Sequence, residues 1–324
     1  MKAVRIHTLD GPRSLRTDEL PEPTAGSGDL LVDVRAAGLN FPDVLLTRGK
    51  YQFKPPPPFS PGGEGAGVVR GVGAGVTDFA VGDRVAFNVI YGAFAERVVI
   101  PALAAVKVPE GVSFEIAAIT PLTYLTDWHA LVDRAVLQAG ETLLVLGAAG
   151  GVGVAAIQIG KMLGARVIAA ASSADKLAFC KRNGADAGVD YSTEDLKERV
   201  KALTDGAGAN VVFDPVGGAY SEAALRAIAW EGRFLVVGFA AGEIPRIPLN
   251  LALLKGCSIM GVFSGQFAMR DPVKNHAHAE KVFAAVAEGK LVPQVDSTFS
   301  FGRATEAFER MEQRKVLGKV VLVP

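Results

Sequence analysis

Glycines 147, 150, 151 and 153 stand where an apolar run ends, in Thr142-Leu143-Leu144-Val145-Leu146-Gly147-Ala148-Ala149-Gly150-Gly151-Val152-Gly153. A helical pattern begins at once, with Val152, Ala155, Ala156, Ile159 and Leu163 on one face. A strand that turns through glycines into a helix aims free backbone N–H groups at one point, with the positive end of the helix dipole behind them. That is a cradle for a phosphate. Glycine suits it because a Cβ would block the anion and because some positions can require positive φ. The spacing Gly147-x-x-Gly150-Gly151-x-Gly153 departs from the standard G-x-G-x-x-G, and such a turn could also serve only to pack a helix tightly on a sheet. The next strand and helix, arriving at the right distance, favour the phosphate.

The second strand of a nucleotide-binding unit normally ends in an acid that accepts from the ribose hydroxyls of NAD. Here the strand ends Ala169-Ala170-Ala171-Ser172-Ser173-Ala174-Asp175-Lys176. A carboxylate at the tip would repel a 2′-phosphate, whereas Ser172, Ser173 and Lys176 can bind one. Asp175, one residue into the helix, is expected to face solvent as a first-turn acid. Lys176 taken alone reads equally well as a surface lysine, and the missing acid is the stronger half of the argument. The expected cofactor is NADPH rather than NADH.

The elements that position these residues are legible in outline. The 324 residues are 49% hydrophobic, enough for a large core and two domains. Lys+Arg and Asp+Glu balance at 34 each, which points away from nucleic acid and from anionic membranes. No apolar run reaches membrane-spanning length and the start lacks a signal peptide's apolar region, so a cytoplasmic protein is expected. Cys180 and Cys257 read as buried free thiols rather than a disulfide or metal site. Short runs at Leu30–Arg35, Gly67–Gly71, Arg84–Phe87 and Glu96–Ile100 predict a β-rich first part. Helical periodicity follows from Ser113 to Leu137, broken at Pro121. Strands (Thr142–Leu146, Arg166–Ala170, Ala187–Val189, Asn210–Phe213, Arg233–Val237, Ser258–Val262) then alternate with helices (Val152–Leu163, Asp175–Asn183, Thr193–Leu203, Ala219–Trp230). This alternation predicts an α/β fold with a doubly wound parallel sheet. A helix Val273–Glu288, a strand near Ser297–Phe301, a helix Arg303–Gln313 and a strand Lys319–Val323 complete the chain, the last strand being expected to return to the N-terminal domain.

Five segments together resemble the medium-chain dehydrogenase/reductase superfamily, in its zinc-free quinone oxidoreductase branch. They are Ala37-Gly38-Leu39-Asn40-Phe41-Pro42-Asp43, Pro61-Gly62-Gly63-Glu64-Gly65-Ala66-Gly67-Val68-Val69, Ala148-Ala149-Gly150-Gly151-Val152-Gly153, Asp214-Pro215-Val216-Gly217-Gly218 and Gly318-Lys319-Val320-Val321. The resemblance covers essentially the whole chain. It implies a GroES-like β-rich catalytic domain (residues 1–122, with a C-terminal return at 265–324) split around a Rossmann domain (residues 123–264), the active site lying in the cleft between them. It also implies a homodimer. Zinc-dependent relatives place a cysteine ligand where this chain has Leu39-Asn40, and a histidine within the segment that here reads Gly62-Gly63-Glu64. The four cysteines of their structural zinc lobe are missing after Gly82-Asp83-Arg84-Val85. None of these side chains offers the thiolate or imidazole that a catalytic zinc wants. Glu64 alone reads as an isolated carboxylate that makes no site, and His276 and His278 read as exposed. No metal is expected.

Without zinc an alcohol is not readily polarised for oxidation, which leaves hydride transfer to an acceptor already electrophilic. By the resemblance, Tyr51 aligns with a tyrosine beside the nicotinamide in enoyl-thioester reductases. Its phenol could donate to charge building on the substrate, or simply pack. Asn40, at the lost ligand's position, could bond nicotinamide ribose or substrate. The same resemblance assigns cofactor contacts to Thr126, Gly150, Gly151 and Val152, and 2′-phosphate contacts to Tyr191 and Arg314. It places Phe239 and Phe263 beside the nicotinamide. Phe53, Phe59, Phe94 and Phe267 could line an apolar substrate cleft or belong to the core. Three functions compete. One is an NADPH:quinone reductase, the second an NADPH-dependent reductase of activated alkenes such as enoyl thioesters. The third is a non-catalytic nucleotide-binding homologue.

Overall fold

The run Leu30–Arg35 belongs to a longer strand, Asp29–Leu39, in which Leu30, Val32, Val34 and Ala36 are buried while Asp33 and Arg35 turn outward. In the computed structural model, which describes residues Met1–Pro324, this strand is central to a seven-stranded sheet. The order is Val295–Ser300, Lys319–Val323, Asp29–Leu39, Glu64–Val72, Arg84–Asn88 and Ala105–Lys107, with Arg97–Pro101 also pairing to Asp29–Leu39. The chain's last strand, Lys319–Val323, pairs antiparallel with Asp29–Leu39, Val320 opposite Leu39. On the other edge Gly38 lies opposite Glu64. A side chain at Gly38 would collide with the Glu64 carboxylate, so glycine is what lets that acid approach. These elements form one unit, Met1–Leu122 with Arg270–Gly289 and Pro293–Pro324.

The second unit comprises Thr123–Met269 with Lys290–Val292. Its six strands are all parallel, in the order Ala187–Asp190, Arg166–Ala171, Thr142–Leu146, Ala209–Asp214, Ile228–Val236 and Ser258–Gly261. Leu143 to Leu146 are wholly buried, as a strand covered on both faces must be. The strand order reverses between Thr142–Leu146 and Ala209–Asp214, so the crevice at their carboxyl ends is the place where this topology binds ligands.

Several elements differ from the sequence pattern. The helix after Gly218 ends at Arg226, and Trp230, assigned to it by periodicity, stands exposed in the strand Ile228–Val236. Alternating burial on a sheet and the periodicity of a short helix are hard to tell apart over so few residues. The helix expected from Thr193 starts at Leu196, because Asp195 caps it by accepting the Glu198 amide at 2.9 Å. A paired hairpin, Lys2–Ile6 with Leu15–Glu19, and the helices Phe41–Thr47, Asn250–Lys255 and Ser264–Arg270 are further elements whose segments carry no strong periodicity. Cys180 is buried as expected, but Cys257 is half-exposed. No helix is long and apolar enough to cross a membrane.

Candidate functional site

The dinucleotide unit presents its candidate residues at the carboxyl ends of its strands. The helix Gly151–Met162 starts from Gly150, whose extended backbone (φ −79°, ψ 172°) turns the chain straight into the first helical amides. Those amides, of Gly151, Val152 and Gly153, have no acceptor within the helix. Gly153 is needed for packing, since a Cβ there would lie 2.6 Å from the Ala148 Cα. At Gly150 the nearest neighbour of such a Cβ is the Gly147 carbonyl oxygen at 3.4 Å, so that glycine keeps the approach to the amides open rather than the core closed. Next door, Asp214 ends its strand buried. It accepts from the amides of Val216 (2.8 Å) and Gly217 (2.9 Å) and from the Ser221 hydroxyl (2.6 Å), which shapes the glycine turn Gly217-Gly218.

At the tip of Arg166–Ala171 the Lys176 ammonium donates to the Ser172 hydroxyl at 2.9 Å, and Ser173 caps the following helix, Ala174–Arg182. Asp175 is exposed in that helix's first turn. Tyr191 joins them: its amide donates to Ala171 O at 3.1 Å, and its ring lies on Tyr220 with centroids 4.2 Å apart. Asp190 turns into its own loop, accepting the Ser192 amide at 3.0 Å. Phe239 and Phe263 are exposed beyond their strands. Thr126 is half-buried in the helix Pro121–Trp128. Arg314 belongs to the first unit, exposed just after the helix Ala304–Glu312.

The first unit brings together charges that the sequence left apart. Lys319, at the start of the last strand, donates from Nζ to Glu64 Oε1 (2.7 Å), Leu39 O (2.9 Å) and Asn40 Oδ1. Asn40 Nδ2 donates to Glu64 Oε1 at 2.9 Å and to Gly38 O at 3.3 Å, while Glu64 Oε2 accepts the Leu122 amide at 2.8 Å. Asp43 accepts the Asn40 amide (2.8 Å) on one oxygen and the Gly62 amide (3.0 Å) on the other. All four side chains are buried. Burial pushes the Asp43 carboxyl up to about 7, against the pull of those two amides and of Lys319. Tyr51 stands half-buried against the same core, and its phenol is raised, first by burial and then by the charge on Asp43.

Two expectations are corrected here. Glu64 is not isolated: it is the hub of a buried ion pair. Asn40 turns both amide hydrogens inward, onto Glu64 and Gly38, while its Oδ1 accepts from Lys319. His278 is buried and only His276 is partly exposed, because residue 278 falls on the apolar face of the helix Pro272–Ala287. Phe59 and Phe94 belong to the first unit's core, Phe94 edge-on to Phe308, whereas Phe53 is exposed against Tyr91 and Phe267 stacks on His129. Lys319 and Asp43 both lie in the family-like segments, but neither segment by itself shows that the two meet. Asp127, wholly buried with no hydrogen-bond partner for either carboxylate oxygen, gave no signal in its own segment; burial raises its carboxyl well above the ordinary range.

A β-rich unit split around a parallel-sheet dinucleotide unit is the architecture of a two-domain oxidoreductase. Residues 26–110 match the family model for the alcohol dehydrogenase GroES-like domain, and residues 151–279 the model for zinc-binding dehydrogenases. Among curated relatives, the quinone oxidoreductase-like protein 2 homolog of Nematostella vectensis is 40% identical over 99% of this chain and 88% of its own length. The quinone oxidoreductase of Pseudomonas aeruginosa is 34% identical over 100% of this chain and 99% of its own. The solved structure of Escherichia coli quinone oxidoreductase complexed with NADPH is similar at a TM-score of 0.93 and 30% identity, covering 100% of both chains. The chain belongs to the medium-chain dehydrogenase/reductase superfamily, in its quinone oxidoreductase branch.

The zinc in one model's name does not fit these residues. Where a ligand set would converge, Glu64 and Asn40 close around the Lys319 ammonium, and no three His, Cys, Asp or Glu side chains gather as a metal site.

Asp43 generates a pH dependence of stability. Its folded pKa of about 7 lies above the ordinary 3.8, so the stability it contributes is whole below about pH 4 and is lost as pH rises to 7. Relative to Asp43→Asn, the wild type is therefore expected to lose stability over that interval, by at most roughly 1.4 kcal/mol per pH unit. Denaturant unfolding of both proteins from pH 4 to 8 measures it, and parallel curves would contradict it.

Proposed function

We propose that the protein is a zinc-independent, NADPH-dependent reductase that transfers hydride to a quinone or another carbonyl-conjugated acceptor. The observation that carries the proposal is the ammonium at the heart of the first unit's cluster. With Glu64 and Asn40 committed to Lys319, no side chain there is left to assemble a Lewis acid that would deprotonate an alcohol, and the acceptor must be electrophilic by itself. Naming of the relatives as quinone oxidoreductases, one of them complexed with NADPH, supports the same choice.

NADPH fits the residues of the dinucleotide unit. Gly151 and Val152 amides would take the pyrophosphate; Ser172, Ser173 and Lys176, beside Tyr191, would take the 2′-phosphate. Thr126, Phe239 and Phe263 would border the nicotinamide. When bound, NADPH supplies the hydride, and a proton from solvent or a side chain completes reduction of the acceptor. Tyr51 is the donor we assign. Its raised phenol stays protonated at neutral pH and can bond an oxygen gaining charge. The same observation favours a second reading, reduction of an enoyl or acryloyl thioester, where hydride at the β-carbon must be matched by a proton at the α-carbon. No observation favours a non-catalytic homologue.

We also propose a homodimer through the strand Ser258–Gly261. It is an open edge of the sheet, and a twofold axis would pair it antiparallel with its own copy. The unit exposes Ile259, Phe263, Trp230, Leu249, Leu253 and Leu254 in this part of the chain. Sedimentation equilibrium is expected to return twice the chain mass, with Ile259→Asp shifting it toward one; a monomeric wild type would dismiss this contact.

For the cofactor, NADPH is expected to bind at least about tenfold more tightly than NADH, roughly 1.4 kcal/mol, within reach of one charge-assisted phosphate contact. Lys176→Ala should weaken NADPH and spare NADH in a fluorescence titration; equal affinities in the wild type would refute the assignment. For the chemistry, Tyr51→Phe should slow turnover of an enoyl thioester about 10²-fold with NADPH affinity held, and quinone turnover less, since water can protonate a quinol oxygen. Steady-state NADPH oxidation with both acceptors reads this directly. A loss confined to the enoyl substrate would favour alkene reduction, and unchanged rates would reduce Tyr51 to packing.

A further inference from the structure

Lys319 has an unusual address for a lysine: it is 5% exposed, and each of its three ammonium hydrogens has an acceptor, Glu64 Oε1, Leu39 O and Asn40 Oδ1. Residues 39, 40 and 64 lie in the two segments from which zinc-dependent members of the superfamily present their metal ligands. A cation therefore still stands among those positions, and here the chain supplies it itself. Its hold fixes the sense of the Asn40 amide, with Oδ1 to Lys319 and both hydrogens to Glu64 and Gly38. It also neutralises a carboxylate that has no exposure at all.

The hold extends along the chain to Tyr51. The Asn40 amide is tied to Asp43 at 2.8 Å, which caps the helix Phe41–Thr47. That helix closes by donation from Arg48 N and Lys50 N to Leu45 O (3.1 and 2.9 Å), and Tyr51 is the next residue. Lys319 and Glu64 both act on Asp43, and Asp43 acts on the phenol. We propose that Lys319 is a positioning residue, the resident cation that holds Asn40 and Glu64 and, through the Asn40–Asp43 cap, sets the stance of Tyr51. The effect on turnover rests on the reductase reading above; the effect on the cluster does not.

Chemical rescue separates charge from shape. In intact protein, Lys319→Ala should lower the melting temperature by roughly 5 °C, because a buried carboxylate loses its only counter-charge. Propylammonium chloride should restore much of that loss relative to equal sodium chloride, and 1-propanol, which fills the same space without charge, should not. Lys319→Met/Glu64→Gln, with neither charge left unpaired, should melt above Lys319→Met, yet turn over about ten- to a hundredfold more slowly than wild type at unchanged NADPH affinity. This double variant also carries the test if Lys319→Ala fails to fold. Equal rescue by propanol, or a Lys319→Met protein as stable as wild type, would overturn the resident cation. Wild-type turnover in the folded double variant would overturn the positioning role. Should the wild type reduce neither acceptor, the reductase reading falls, and the thermal arm still decides this proposal.

Discussion

The ion pair between Lys319 and Glu64 joins residues 255 apart in sequence, and most of what distinguishes the first unit hangs on it. Taking two charges out of water is expensive, and well-packed apolar residues could be as stable, so the pair is better understood as specifying geometry than as supplying stability. It specifies a great deal. The start of the last strand, the end of Asp29–Leu39, the start of Glu64–Val72 and the amide of Leu122 all converge on two side chains. A glycine at position 38 makes room for the arrangement, and the antiparallel register on both sides of that strand brings the partners level.

One cation and two buried acids cannot balance, and the surplus falls on Asp43. Its two amide donors and the nearby ammonium favour the charged form, but burial outweighs them and leaves it titrating near neutrality. Tyr51 feels the consequence, because an ionised Asp43 makes the phenol a weaker acid. A cluster built to hold backbone in place thereby also tunes the phenol proposed as the donor.

The dinucleotide unit uses a different device, fixed dipoles in place of side-chain charge. A parallel sheet collects helix N-termini at the carboxyl ends of its strands, and the reversal of strand order leaves a crevice there. The Gly150 turn and the Asp214 turn flank that reversal. Asp214 is spent on its own loop, accepting three bonds, so it shapes the crevice rather than charging it. The tip of the second strand, with hydroxyls and an ammonium, completes a surface suited to anions.

Much of this was legible from residues alone. Thr142–Leu146 and Lys319–Val323 form as read, and the alternation of strands and helices through residues 142–261 required a parallel sheet, because local periodicity is written in consecutive residues. The serine tip and the glycine turn were legible for the same reason: each is a short segment whose chemistry is complete in itself. Trp230 and His278 were misplaced where a short pattern fits both helix and strand, or both faces of one helix. The cluster of Asn40, Asp43, Glu64 and Lys319 was beyond reach. Each residue looks ordinary in its own segment, and only strand pairing across the whole chain brings the ammonium to the carboxylate. Sequence by itself determined most of the elements and the glycine and serine segments that end their strands; tertiary structure decided which charges meet, because burial and distance, which set the energy of a charge, are properties of the fold and not of any segment.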